Sequence, residues 1–349
     1  MSNTIVYDEP VTDKRTWSVS SSTQQRQFFT AGKNLTPIEY TTVAQDILEN
    51  EVRKDFTAGK NLTPIEYTTV AQDILENEVR KDDVWLLGYP RVGQTWCQEV
   101  IWLIVNNLNF NLARSTIQHL RAPKLEQSLY KDEIFDNIYG CSSIQYVKSL
   151  RSPRTIRSHL PLHLLPTQLK TIRPKIIYMT RNPKDIWCSY YSLLQAFFDY
   201  DKSFEEASVL FCDGKISVGC PIEHALPFWN RRNEPHVLFL NYEDMRINSK
   251  ATIKLIADFL DRPLKLKQIV DINKFVSLES MKMNPAVNME WYLKELKDGN
   301  SEYSFIGDGI VGNWRNNMTV KMSRMFDDWI AAKTEALLLN INKKNSKWH

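Results

Sequence analysis

The sequence has few of the features that mark a nucleic-acid-binding, membrane-spanning or disulfide-rich protein. Its 44 basic and 41 acidic side chains give a formal net charge of +3, too small to indicate a nucleic-acid partner on charge alone. No apolar run approaches the roughly 20 residues of a membrane span, and the first residues lack the apolar stretch of a secretory signal. The five cysteines are scattered and form no CxxC pair. We therefore expect a reduced, cytoplasmic protein with no membrane partner.

An exact tandem repeat occupies the N-terminal part of the chain. Residues 29–55 and residues 56–82 are identical over 27 letters, FTAGKNLTPIEYTTVAQDILENEVRKD. Structural repeats usually diverge in sequence and need about three or more units to share a core, so we interpret the first copy as surplus. An added interaction helix is the alternative.

Each copy predicts an amphipathic helix after a Thr-Pro cap. Only the second copy leads directly into an apolar strand, so we expect its helix to pack on the domain, through Pro64, Tyr67, Val70, Ile74 and Leu75.

The chain is therefore divided into a polar segment (1–28), the surplus copy (29–55) and one functional domain (56–349). Within that domain, apolar strands alternate with helices, which is typical of an α/β fold with a central parallel sheet flanked by helices. The predicted strands are 84–88, 175–179 and 236–240, and the predicted helices are 95–105, 183–198, 248–260 and 321–339.

The stretch VWLLGYPRVGQTW predicts a phosphate-binding loop between a strand and a helix. Helix N-termini attract anions, Gly93 lets the backbone approach closely, and Arg91 and Thr95 add a charge and a hydroxyl. The spacing from Gly88 differs by one residue from the triphosphatase loop GxxxxGK[ST], because Gln94 replaces the lysine. This replacement argues against hydrolysis of ATP or GTP. A simple glycine turn before a core helix is the alternative.

A second strand in the sequence ends at a residue suited to phosphate. Arg181 follows the strand IIYMT, and Ser189 lies in the helix after it. Ligands of open α/β sheets bind at the carboxyl ends of strands, where an arginine and a hydroxyl suit one phosphate. A surface Arg181 paired with Asp185 is the alternative.

Five separated segments, from about Leu62 to Phe326, resemble motifs of the cytosolic sulfotransferase family, especially its insect, retinol dehydratase-like members. YPRVGQTW resembles the 5′-phosphosulfate loop YPKSGTTW, and RSHLPLHLLP resembles KTHLPLxLLP. IIYMTRNPKDIWCSYY resembles the 3′-phosphate strand and helix, LNYEDM resembles FYEDM, and FIGDGIVGNWRNNMT resembles FxRKGxxGDWKNxFT. The resemblance implies the P-loop-like sulfotransferase fold.

The resemblance also implies a donor, 3′-phosphoadenosine 5′-phosphosulfate (PAPS), and transfer of its sulfuryl group to a hydroxyl or amine. The acceptor would be a small, apolar molecule such as a phenol, a steroid or a retinoid-like alcohol. The implied donor contacts are Arg91, Gly93, Gln94, Thr95 and Trp96 at the 5′ end, Arg181 and Ser189 at the 3′-phosphate, Tyr242 and Ser277 near the adenine, and Gly309 in the closing loop.

His159 matches the family's catalytic base, and a neutral imidazole near the acceptor suits that role. His159 and His163 are spaced like a metal pair, but Pro161 prevents a regular helix between them and no third ligand is evident. We therefore expect no metal.

Several residues depart from the family pattern. The family's lysines in the loop and near the base are Arg91 and Arg157, and its Arg-Lys pair at the 3′-phosphate is Gly307-Asp308. Arginine is not readily deprotonated, so we expect slow turnover and weakened donor binding. A catalytically weak binding protein is therefore the second hypothesis. The family's dimer motif, KxxxTVxxxE, ends here in Arg324, which favours a monomer or a weak homodimer.

Overall fold

Four short segments form a wholly parallel sheet, in the order β2-β1-β3-β4. They are β1 (Val84–Gly88), β2 (Thr155–Ser158), β3 (Lys175–Thr180) and β4 (Val237–Asn241). In this register Leu87 lies opposite both Ser158 and Tyr178, so the carboxyl ends of β1, β2 and β3 share one edge of the sheet. The structure is a computed structural model and describes residues 67–130, 132–198, 200–216, 218–296 and 303–345.

Helices connect the strands and cover the sheet. Those before β3 are α1 (Tyr67–Leu75), α2 (Gln94–Val105), α3 (Phe110–Ser115), α4 (Gln118–Arg121), α5 (Glu133–Tyr139), α6 (Ser143–Ser149) and α7 (Leu169–Ile172). Those between β3 and the end of α14 are α8 (Pro183–Phe198), α9 (Phe204–Cys212), α10 (Pro221–Trp229), α11 (Tyr242–Ile247), α12 (Ser249–Phe259), α13 (Leu266–Phe275) and α14 (Leu278–Met283). The last are α15 (Glu290–Leu296), α16 (Trp314–Asn317) and α17 (Val320–Asn345). Short 3₁₀ turns lie at Gln127–Tyr130 and Leu162–Leu164.

The core lies on both faces of the sheet because side chains along each strand alternate between the faces. In β1, Val84 and Leu86 join the larger apolar cluster, whereas Trp85 and Leu87 join the smaller one. The larger cluster includes most of α2, which is buried along almost its whole length. This burial holds α2 against the sheet, so that the helix begins close to the end of β1, after the loop 89–93.

The predicted α/β fold with a parallel sheet flanked by helices is confirmed. The strand β2 was not predicted, and the last helix extends beyond the predicted 321–339. From the second repeat copy, Ile74 is completely buried and packs in the smaller cluster with Ala71. Residues 1–66, which include the first copy and Pro64, lie outside the described residues. None of the described helices is both long and apolar enough to cross a membrane.

Candidate active site

The loop between β1 and α2 presents the start of a helix at the carboxyl edge of the sheet. Gly93 precedes α2 with φ of 90°, and no side chain caps the helix start. A Cβ atom on Gly93 would lie 2.6 Å from Cδ2 of Tyr242, so only glycine fits beneath that ring. Arg91 also has a positive φ, of 69°. The uncapped amides and the helix dipole make this turn suitable for an anion.

Arg91 and Ser189 lie together beside this turn. The Arg91 Nε donates to Ser189 Oγ at 2.8 Å, and its Nη2 donates to the Tyr303 hydroxyl at 3.2 Å. The carbonyl of Arg91 accepts a hydrogen bond from Arg181 Nη1 at 3.0 Å. Residues predicted for the two phosphate ends are therefore in direct contact.

Arg181 does not pair with Asp185. Its guanidinium lies 4.2 Å from the centre of the Tyr242 ring, and its buried Nε has no hydrogen-bond partner within the described part of the chain. Asp185 instead accepts hydrogen bonds from the backbone amides of Gly312, at 2.7 Å, and Trp314, at 2.9 Å. The alternative of a surface ion pair is thus wrong, and Arg181 retains a buried donor for a ligand.

The segment that carries Gly307-Asp308 has cations of other elements beside it. Asp308 forms an ion pair with Lys282 at 3.0 Å. Arg246 donates from Nε to the carbonyl of Gly309 at 3.0 Å, and φ of Gly309 is 66°. Two basic side chains from α11 and α14 therefore reach this segment in addition to its own acidic residue.

The other residues predicted to contact PAPS do not all point toward the turn at Gly93. Gln94 turns inward, and its Nε2 donates to the carbonyls of Gly88 and Ser158, both at 3.2 Å. Gln94 can therefore contact a phosphate only through its backbone amide. Thr95 is half-buried and Trp96 packs in the larger core cluster. Ser277 caps α14 by accepting a hydrogen bond from the Ser280 amide.

His159 follows β2 and is held from three sides. Its Nδ1 lies 2.9 Å from the carbonyl of Gly88; because a carbonyl only accepts, Nδ1 carries the proton and Nε2 is the basic atom. The His159 amide donates to Glu126 Oε1 at 2.8 Å, and its carbonyl accepts from His224 Nε2 at 3.0 Å. Burial, followed by the charges of Lys124 and Arg157, holds the pKa of His159 well below 6.5. The ring is therefore neutral and oriented, as a general base requires.

Residues 81–337 match the family described as the sulfotransferase domain. The chain belongs to the sulfotransferase family. It is 32% identical to luciferin sulfotransferase of Photinus pyralis over 259 residues, which cover 71% of this chain and 70% of that protein. It is 34% identical to sulfotransferase 1E1 of Bos taurus over 249 residues, covering 70% of this chain and 81% of that protein.

Solved structures agree with this membership. Retinol dehydratase in complex with retinol and PAP has a TM-score of 0.69 and 28% identity, covering 76% of this chain and 85% of that one. Retinol dehydratase in complex with androsterone and the inactive cofactor PAP has a TM-score of 0.70 and 26% identity. The match covers 81% of this chain and 94% of that one. The sulfotransferase fold is thus shown for this chain.

Several residues at this sulfotransferase site were not found from the sequence. Glu126 and His224 hold the backbone of His159, and His224 in turn receives a hydrogen bond from the Tyr178 hydroxyl at 2.8 Å. These residues lie far from His159 in sequence and belong to no local motif, so no spacing indicates them. Within the described ranges, no group of three or more His, Cys, Asp or Glu side chains is placed to hold a metal ion.

Proposed function

We propose that the protein transfers the sulfuryl group of PAPS to a hydroxyl or amine of a small, largely apolar acceptor. The observation that carries this proposal is the contact between His159 and the residue that begins the phosphate loop. His159 Nδ1 is bonded to the carbonyl of Gly88, and the anion-binding turn at Gly93 follows five residues later. The segment from Gly88 to Gly93 thus contacts the base at one end and carries the proposed anion site at the other.

The residues present fit a nucleotide with two phosphate ends. The start of α2 offers unbonded backbone amides for one end. The buried Nε of Arg181, which lacks a partner among the described residues, offers a charged donor for the other. Ser189 adds a hydroxyl, and the ring of Tyr242 forms a flat surface between Gly93 and Arg181. PAP in the related solved structures supports the same class of nucleotide.

His159 is the proposed general base. PAPS, when bound, supplies a sulfuryl group whose bond to the 5′-phosphate breaks as a bond to the acceptor oxygen or nitrogen forms. The Nε2 atom of His159 takes the proton from the acceptor, because its Nδ1 is already protonated toward Gly88. Arg91 and the amides of α2 stabilise the negative charge that develops on the phosphate side. Arg157, a buried residue of β2, adds positive charge near the base.

Aromatic side chains near this edge of the sheet suit an apolar acceptor. Phe197 packs against Tyr292 and Phe305, with ring centres 5.9 Å and 6.4 Å apart. The Arg91 guanidinium lies 5.3 Å from the centre of the Phe305 ring, which places this aromatic group next to the phosphate loop. Retinol and androsterone, the ligands in the related structures, are apolar alcohols.

The test is calorimetric titration with PAP, followed by sulfate transfer from labelled PAPS to phenols, steroids and retinoids. We expect PAP to bind the native chain, and the double variant Gly307→Arg/Asp308→Lys to bind it more tightly. If neither chain binds PAP, the assigned donor site is wrong.

A catalytically weak binding protein is the second candidate. Asp308 favours this candidate, because a carboxylate that is 72% exposed lies where the family's motif has a cation. This candidate predicts a rise in melting temperature with PAP but no sulfated product after long incubation. Cytoplasmic location and a monomeric or weakly dimeric state remain predictions from the sequence.

A further inference from the structure

A second group of charges lies beside His159, and the proposed mechanism does not use all of it. The short segment at Lys124 pairs with β2 in parallel, opposite Arg157. Paired residues of neighbouring strands point to the same face, and residues two apart in one strand do so as well. Lys124 and Arg157 therefore share a face that continues to His159.

Both cations are deeply buried. Lys124 is 9% exposed and Arg157 is 6% exposed. Burial lowers the pKa of Arg157 and lowers that of Lys124 to about 8. Buried charged groups are costly unless they are paired or bonded, so partners are expected for both.

The described part of the chain does not supply those partners. The Lys124 Nζ lies 4.0 Å from the centre of the Tyr130 ring and donates no hydrogen bond to a described residue. The Arg157 Nη2 donates to His119 Nε2 at 2.6 Å, but His119 is neutral because burial holds its pKa well below 6.5. The Nε of Arg157 is buried without a partner among the described residues.

Two carboxylates lie near these cations, but neither forms an ion pair with them in the described chain. Glu126 uses Oε1 to accept the His159 amide, and its buried Oε2 has no hydrogen-bond partner among the described residues. Asp132 caps α5 with one oxygen and accepts the Tyr292 hydroxyl at 2.7 Å with the other. The Nζ of Lys124 and the buried Nε of Arg157 thus have no acceptor among the described residues, next to the base.

We infer that Lys124 and Arg157 bind a carboxylate of the acceptor, so that the substrate is a small hydroxy acid or amino acid derivative rather than a neutral alcohol. This inference rests on the proposed function and names its substrate class. The carboxylate meets Lys124 Nζ and Arg157 Nε, while the acceptor hydroxyl or amine faces Nε2 of His159. An apolar body between the two groups lies against the aromatic side chains. Such charge-assisted hydrogen bonds are stronger than hydrogen bonds between neutral groups.

The experiment compares a phenol that carries a propanoate side chain with the methyl ester of the same phenol. Binding of each to the complex of the protein with PAP is measured by calorimetry, which needs no turnover. We expect the acid to bind about tenfold or more tightly than the ester. Lys124→Met should reduce that ratio to near one while the affinity for PAP is unchanged, and Lys124→Arg should retain the preference.

Lys148→Met is the matched control, because it removes the same charge from an exposed position on α6 and should leave the ratio unchanged. Equal affinity for acid and ester, no binding of either, or a ratio that Lys124→Met does not lower overturns the inference. If PAP itself does not bind, the proposed function fails instead.

Discussion

The Nδ1 atom of His159 lies 2.9 Å from the carbonyl oxygen of Gly88, the last residue of β1. The same carbonyl accepts a hydrogen bond from Gln94 Nε2 at 3.2 Å. One carbonyl thus fixes both the ring of the proposed base and the first residue of α2. The geometry links the proposed base to the turn at Gly93 that we propose binds an anion.

His159→Gln should separate donor binding from chemistry. The variant loses the basic Nε2, and general bases contribute about a hundredfold to ten-thousandfold to rates. We expect kcat to fall by that range while the dissociation constant of PAP, measured by calorimetry, is unchanged. A variant that retained native kcat would contradict the assignment of the base.

The pH dependence of the reaction should reflect the low pKa of His159. Burial and the charges of Lys124 and Arg157 stabilise the neutral ring, so the base stays active as the pH falls through 6.5. We expect kcat/KM to fall only at lower pH, where the ring becomes protonated. The measurement is a pH profile under PAPS saturation between neutral and acidic pH. An acidic midpoint at or above 6.5 would show that another group controls the rate.

The motifs of the proposed donor site could be found from the sequence because each lies at one strand-to-helix junction. Gly93 follows β1, and Arg181 and Ser189 follow β3. Because β1 and β3 are parallel, all three residues lie at one edge of the sheet. β2 was missed because its four residues, TIRS, include a buried arginine and show no apolar run. The partners of His159 depend on tertiary contacts, which local spacing does not reveal.

Gly93→Ala should abolish PAP binding through a steric effect. A Cβ atom there would lie 2.6 Å from Tyr242, and φ of 90° is strained for any other residue. Gly214→Ala is the matched control, because φ is 69° but no atom lies within 4 Å of the added Cβ. We expect the control to lose about 1–2 kcal/mol of stability from strain and to bind PAP normally. Equal losses of PAP affinity in both variants would disprove the close fit.

Asp308→Asn should strengthen PAP binding by several-fold. The change removes a negative charge from the segment with Gly309 and releases Lys282 from its ion pair. Because the pair is exposed, the free energy of unfolding should change by less than about 1 kcal/mol. Calorimetry at low and high salt measures the effect, which salt should weaken. Asp213→Asn, which breaks the exposed pair with Lys215, is the control, and an equal gain there would contradict a local effect.

The two identical repeat copies allow a direct test of which one belongs to the fold. Ile74 of the second copy is completely buried, so Ile74→Ala should lower the free energy of unfolding by about 2–5 kcal/mol. Ile47 holds the same position in the first copy, and Ile47→Ala should have no effect if that copy is surplus. Thermal unfolding of both variants, and of a chain lacking residues 29–55, measures the difference. A small loss in both substitution variants would show that either copy can pack in the smaller apolar cluster and would contradict the assignment.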